Sequence, residues 1–162
     1  MKVLLATQKP FSAAAVAGIE DILTKAGHSL VTLEKYADQS ELVAAVADVQ
    51  ALIIRSDKVT AEVLDAAPEM KIVVRAGAGF DNVDLEAATA HGVVVMNTPG
   101  QNSNAVAELA IAMMIFMSRG QFTPATGSEI MGKTLGVQAY GNVGRLVGRK
   151  AEALGLKIMA ID

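Results

Sequence analysis

The sequence predicts an α/β fold with parallel sheets, on three observations. Short runs rich in β-branched residues alternate with alanine-rich helical stretches from the first residue onward, the pattern of βαβ units. Apolar residues make up 52% of the 162 positions and the mean hydropathy is +0.38, which suits strands buried on both faces. Several helical stretches also carry their own start and stop residues, so the alternation is punctuated.

The first strand is KVLLAT, residues 2 to 7, followed by a helix over 11–26 with Ser12 as N-cap and Gly27 past its end. SLVTLE, 29 to 34, is the second strand, and a helix over 40–48 follows. ALIIRS, 51 to 56, leads to a helix over 60–67, with Thr60 at its start and Pro68 as its stop. KIVVRA, 71 to 76, leads through a glycine-bearing loop to a helix over 84–91, capped by Asp84 and closed by Gly92. VVVMN, 93 to 97, is the fifth strand. Five strands joined by right-handed crossovers make an open, flavodoxin-like sheet, and a first domain is placed at 1–99.

A different unit, 100–162, begins after NTPGQN. SNAVAELAIAMMIFMSRG reads as one helix over 103–119, too apolar all round to lie on a solvated surface, so a sheet, a domain or a second subunit is expected to cover it. Met113, Met114 and Met117 read as packing filler within it, Asn102 and Asn104 as candidate caps, and Glu108 as a structural hydrogen-bonding residue. QFTPATGSEIMG is a loop. Strand KTLGVQAY (133 to 140), helix VGRLVGRKAEAL (143 to 154) and strand LKIMAID (156 to 162) complete a βαβ unit.

Composition excludes several classes. The net charge of -3 and pI near 5.4 argue against a phosphate-backbone footprint, so no nucleic acid partner is expected. The longest apolar run, AIAMMIFM, falls well below the ~20 residues of a membrane span, and MKVLLAT fails as a signal peptide, so no membrane partner is expected. With no cysteine there is neither a disulfide framework nor a thiolate metal site, which suits a reducing cytoplasm. His28 and His91 each lie beside a glycine at a helix end and read as solvated or capping residues, not catalytic ones.

Two turns carry chemistry. In VQAYGNVGRLVG, 137 to 148, a glycine pattern follows a strand and opens a helix, and the next strand ends in Asp162, 18 positions beyond Gly144. Tyr140, Gly141, Asn142, Val143 and Gly144 then form a Rossmann pyrophosphate turn. Gly141 lets the backbone approach the anion, Gly144 lets the helix pack on its strand, and Asp162 accepts the ribose diol, which favours NAD. Ala139 stands where the pattern has its first glycine, an alanine tolerable at negative φ and costly at positive φ; the motif reads as a permitted variant. The bland alternative is a βαβ unit whose glycines serve packing alone.

The second turn is VVRAGAGFDNVD, 73 to 84, where Gly77, Ala78 and Gly79 leave backbone N–H groups uncovered for a carboxylate or phosphate. Arg55 and Arg75 close adjacent strands at the carboxyl edge of the sheet, where open α/β sheets bind ligands. Surface ion pairs with Asp57 or Asp81 are the alternative for each arginine taken alone.

The stretch from RSDKVTAEVLDAAPEMKIVVRAGAGFDNVD to NTPGQNSNAVAELA, followed by GKTLGVQAYGNVGR, resembles the D-isomer-specific 2-hydroxyacid dehydrogenases. Within that family it is most similar to the branch that oxidises 3-phosphoglycerate in serine biosynthesis. The resemblance implies that Gly77, Ala78 and Gly79 hold the substrate carboxylate and that Arg55 and Arg75 approach a phosphate. It implies NAD on the turn at Gly141 to Gly144 and on Asp162. It also implies a helix at 103–119 that links the domains and contributes to a homodimer. The family's catalytic arginine, carboxylate and histidine, and a C-terminal return helix for the first domain, find no match within these residues; the 162-residue chain alone is therefore expected to be inactive. Two other functions fit the same residues: a dehydrogenase for another D-2-hydroxyacid, and a non-catalytic nucleotide-binding or assembly module.

Overall fold

A computed structural model describes residues 1–162. The chain divides into two compact units, Met1–Pro99 and Gly100–Asp162.

The first unit is a five-stranded parallel sheet of β1 (Lys2–Thr7), β2 (Ser29–Glu34), β3 (Ala51–Ile54), β4 (Ile72–Arg75) and β5 (Val94–Met96), in the order β2-β1-β3-β4-β5. This is the flavodoxin-like order, in which the chain reverses direction after β2 and crosses back past β1 to β3. The helices between them are α1 (Ala13–Lys25), α2 (Gln39–Ala45), α3 (Ala61–Asp65) and α4 (Leu85–Ala90). Every strand and helix of this unit lies where the periodicity puts it: β1 and β2 keep the predicted bounds, α2 starts one residue earlier and ends earlier, and the others are trimmed by one or more residues.

Val3 to Thr7 of β1 are all buried, as a central strand with both faces covered requires. Leu4, Ala6, Leu52, Ile54 and Val73 meet Leu42, Val46, Val63, Leu64 and Ala88 from α2, α3, α4 and their flanks in one hydrophobic core. The opposite face grades from covered to open along one register row, in which Leu5, Ile53, Val74 and Met96 are neighbours: Leu5 is sealed and Met96 is 52% exposed.

Caps set the helix starts. The Ser12 hydroxyl accepts from the Ala15 N–H and the Asp84 carboxylate from the Ala87 N–H. Asp38 and Glu41 form a capping box at α2. Thr60 holds the N-cap position of α3, but its hydroxyl makes no capping bond. Gly27 (φ 73) and Gly92 (φ 67) adopt the left-handed conformation that lets the chain leave α1 and α4.

The second unit pairs β6 (Thr134–Gln138) and β7 (Lys157–Ile161) in parallel, connected by α6 (Asn142–Ala153). The longer α5 (Ser103–Ser118) packs on α6. The buried residues of the two helices are small: Ser103 and Ala107 on one, Gly144, Gly148 and Ala151 on the other. Asn104 lies inside α5 and does not cap it; its side chain bonds Glu108, which also pairs with Lys150 at 3.6 Å. Asn102 takes the N-cap position without a capping bond. The cover expected for α5 is only partial, since Leu109, Met113 and Met117 stay more than half exposed. No helix is long and apolar enough to cross a membrane.

Candidate functional site

The loop after β4 is shaped by what its carbonyls do. The Gly77 carbonyl accepts from the Thr98 N–H at 2.9 Å, and the Ala78 carbonyl accepts from Asn97 Nδ2 at 2.7 Å. A trans peptide points its C=O and the following N–H in opposite directions, so tying these two carbonyls down turns the N–H groups of Ala78 and Gly79 the other way. Neither N–H has a protein partner, and Ala78 is exposed. Gly77 departs from expectation: its N–H closes a tight turn onto the Arg75 carbonyl at 2.9 Å and is not free for a ligand. Its lack of a side chain serves another end, because a Cβ there would run into the Arg75 guanidinium.

Arg75 is half-buried, and its Nε donates to the Arg55 carbonyl at 2.9 Å, which leaves its terminal NH2 groups over the glycine loop. Arg55 is exposed at the end of β3. Neither guanidinium forms an ion pair within 4.0 Å, so the salt bridges to Asp57 or Asp81 are not made. Two guanidiniums without an ion pair within 4.0 Å beside two outward amides can hold a small dianion or an acid with two anionic ends, with the Asp81 carboxylate set against Gly79.

The turn after β6 is built differently. Asp162 accepts from the Tyr140 N–H at 3.1 Å, and Arg145 Nε donates to the Tyr140 carbonyl at 2.8 Å, so one peptide on either side of the Tyr140 ring is held. Gly141 is the N-cap of α6 and, having no side chain, leaves the first-turn N–H groups at Asn142 and Val143 uncapped. Its φ of -75 is open to any residue, and a Cβ there would meet open space. Nothing within the protein therefore needs a glycine at 141, and its flank stays open for a ligand to approach. Gly144 is needed by the fold, because a Cβ would strike the Ala139 carbonyl. Gly148 makes room for the Tyr140 ring, half-buried against α6.

Ala139 has φ 69, the sign at which an alanine is costly, so the variant turn carries that cost. The alanine sits in the left-handed region at a cost of roughly 1 kcal/mol, and the turn keeps its shape because the Ala139 N–H is held by the Ile161 carbonyl at 2.8 Å.

These residues fit a dinucleotide: uncapped amides at a helix start, a vacant flank at Gly141, and the Asp162 carboxylate at the end of the next strand. The histidines lie elsewhere. His28 immediately precedes β2 and contacts the N-terminal amine, while His91 closes α4 before β5 and pairs with Asp65 at 3.0 Å. Both stand at amino ends of strands, away from the edge that carries Arg55 and Arg75. Asn97 escaped the sequence reading because it is the last letter of the apolar run VVVMN, just past β5, and only the folded register brings it to Ala78.

A parallel sheet of flavodoxin-like order, followed by a separate βαβ unit with an acid-ended second strand, defines the class of fold. The D-isomer specific 2-hydroxyacid dehydrogenase catalytic domain matches residues 6–154, and the chain belongs to this family. Among relatives, the D-3-phosphoglycerate dehydrogenase of Mycobacterium leprae is 44% identical over 140 residues, covering 77% of this chain and 26% of its own. A hydroxypyruvate reductase of Thermotoga maritima is 37% identical over 147 residues, covering 82% of this chain and 48% of its own. The NAD+-bound 3-phosphoglycerate dehydrogenase of Entamoeba histolytica superposes with a TM-score of 0.96 at 48% identity, covering the whole of this chain and 54% of that one. The chain thus spans from about a quarter to about half the length of these relatives.

Proposed function

We propose that this chain forms the substrate-binding unit (1–99) and the opening of the NAD-binding unit (100–162) of a D-3-phosphoglycerate dehydrogenase. Its reaction is oxidation of the 2-hydroxyl of 3-phosphoglycerate, in cytoplasmic serine biosynthesis. The observation that carries this reading is the pair of outward amides at Ala78 and Gly79 beside the two unpaired guanidiniums of Arg55 and Arg75. A carboxylate on the amides and a phosphate on the arginines would fix both ends of a three-carbon acid, which holds its C2 hydrogen in one orientation. NAD, when bound, supplies the hydride acceptor. The Asn142 and Val143 amides would hold its pyrophosphate and Asp162 its ribose diol, repelling a 2'-phosphate. We assign the acceptor of the hydroxyl proton to sequence outside these residues, because both imidazoles here stand at the other edge of the sheet. The open apolar face of α5, with Leu109, Met113 and Met117, supports assembly as a homodimer.

The test is calorimetric titration with 3-phosphoglycerate and with D-glycerate. Charge-assisted hydrogen bonds contribute about 1.5–3 kcal/mol each, so Arg55→Ala and Arg75→Ala are each expected to weaken 3-phosphoglycerate about 10- to 100-fold and D-glycerate little. Equal losses for both acids would favour the second reading, oxidation of an unphosphorylated 2-hydroxyacid, which the hydroxypyruvate reductase relative supports. Binding of neither acid would contradict both.

A further inference from the structure

Asp57 is the one charged residue that the structure buries, with 5% of its surface exposed, in the turn after β3. A carboxylate out of water without a cation is costly unless hydrogen bonds replace its hydration, and no cationic group lies within 4.0 Å of it. Its donors come from three separate segments. Oδ1 accepts from the Tyr36 hydroxyl at 2.7 Å and from the Gln8 N–H at 2.8 Å, and Oδ2 accepts from the Arg55 N–H at a longer 3.4 Å. A fourth segment reaches its main chain, where the Asp57 carbonyl accepts from Asn82 Nδ2 at 2.7 Å. Gln8 follows β1, Tyr36 follows β2, Arg55 follows β3 and Asn82 belongs to the loop after β4. Tyr36 is itself buried, and burial together with the Asp57 carboxylate pushes its ionisation well above the usual phenol range, so it remains a hydroxyl donor.

We propose that Asp57 is a positioning residue for the anion site, its carboxylate holding the arginine half and its main-chain carbonyl the loop half. One path runs through the Arg55 main chain, whose N–H it accepts and whose carbonyl holds Arg75 Nε. The other runs through Asn82 to the loop that presents the Ala78 and Gly79 amides. The inference rests on the reading of that loop and those arginines as the substrate site. The Tyr36 bond lies on the far side of the carboxylate from both paths in sequence and connection: it ties β2 and touches neither arginine nor the glycine loop.

That asymmetry supplies the experiment, in which 3-phosphoglycerate and NAD are titrated separately into the 162-residue protein. Asp57→Asn keeps the shape and the main-chain bond to Asn82 but sets an NH2 in place of one accepting oxygen, against an N–H; it is expected to weaken 3-phosphoglycerate at least tenfold through the Arg55 path, with NAD affinity unchanged. Tyr36→Phe is expected to lower the melting temperature with 3-phosphoglycerate affinity within twofold of wild type. If Asp57→Asn does not fold, Asn82→Ser cuts only the loop path and is expected to weaken the acid several-fold. Wild-type affinity in Asp57→Asn, or losses in all variants that merely follow their melting temperatures, would overturn the inference and leave the substrate site standing. Failure of the wild-type protein to bind the acid would overturn the site and the inference together.

Discussion

At the end of β4 the outward amides are aimed by hydrogen bonds on the neighbouring carbonyls; at the end of β6 they are the uncapped first-turn amides of α6. The charges beside them are also opposite. Arg55 and Arg75 flank the first turn without carboxylate partners, whereas Asp162 stands on the second. The first arrangement suits a small, highly charged acid, whose own charges need cations. The second suits a large cofactor whose pyrophosphate takes the helix start and whose neutral diol needs an acceptor. Glycine has different work in each: at 77 it clears the Arg75 guanidinium, at 144 the Ala139 carbonyl, and at 141 only a space outside the protein.

Substitutions that damage one turn should therefore leave the other intact. The largest effect is expected from Gly144→Val, whose side chain meets the Ala139 main chain. Overpacking of this kind costs about 1–3 kcal/mol, and NAD binding should fall below detection by calorimetry while 3-phosphoglycerate affinity is kept. Next, Asp162→Ser removes the diol acceptor and the charge that repels a 2'-phosphate. NAD should weaken roughly tenfold, as one charged hydrogen bond predicts, and NADP should weaken less or gain; unchanged discrimination between the two would remove Asp162 from the cofactor site. The smallest effect is a gain. Ala139→Gly relieves φ 69 and should stabilise the second unit by about 1 kcal/mol in urea denaturation. No change there would mean that the alanine is unstrained.

Much of this was legible in the sequence because it depends on local pattern. Apolar runs and alanine-rich stretches located every strand and α-helix, though not the short 3-10 turn at Gly120–Phe122; Ser12 and Asp84 were readable as caps, and Gly27 and Gly92 as exits. The candidate site residues were legible as two clusters, each in one loop or at adjacent strand ends. What sequence could not show depends on long-range partners. Asn97 and Asp57 are polar letters at strand ends that read as surface until the register brings Ala78 to the one and Tyr36 and Asn82 to the other. The role of Gly77 changed for the same reason, since the Arg75 guanidinium folds back over it. The sign of φ at Ala139 is set by how β6 meets α6, which no single letter encodes. The Asp38–Glu41 capping box was readable as D-x-x-E in DQSE, a signal passed over.

The most direct measurement is an amide NMR titration of the 162-residue protein with 3-phosphoglycerate and with NAD, each added alone. The account predicts two separate sets of shifted resonances: Ala78 and Gly79 with the acid, Asn142 and Val143 with NAD. A result in which NAD moves nothing between 139 and 145, or in which the acid leaves Ala78 and Gly79 unmoved, would contradict it.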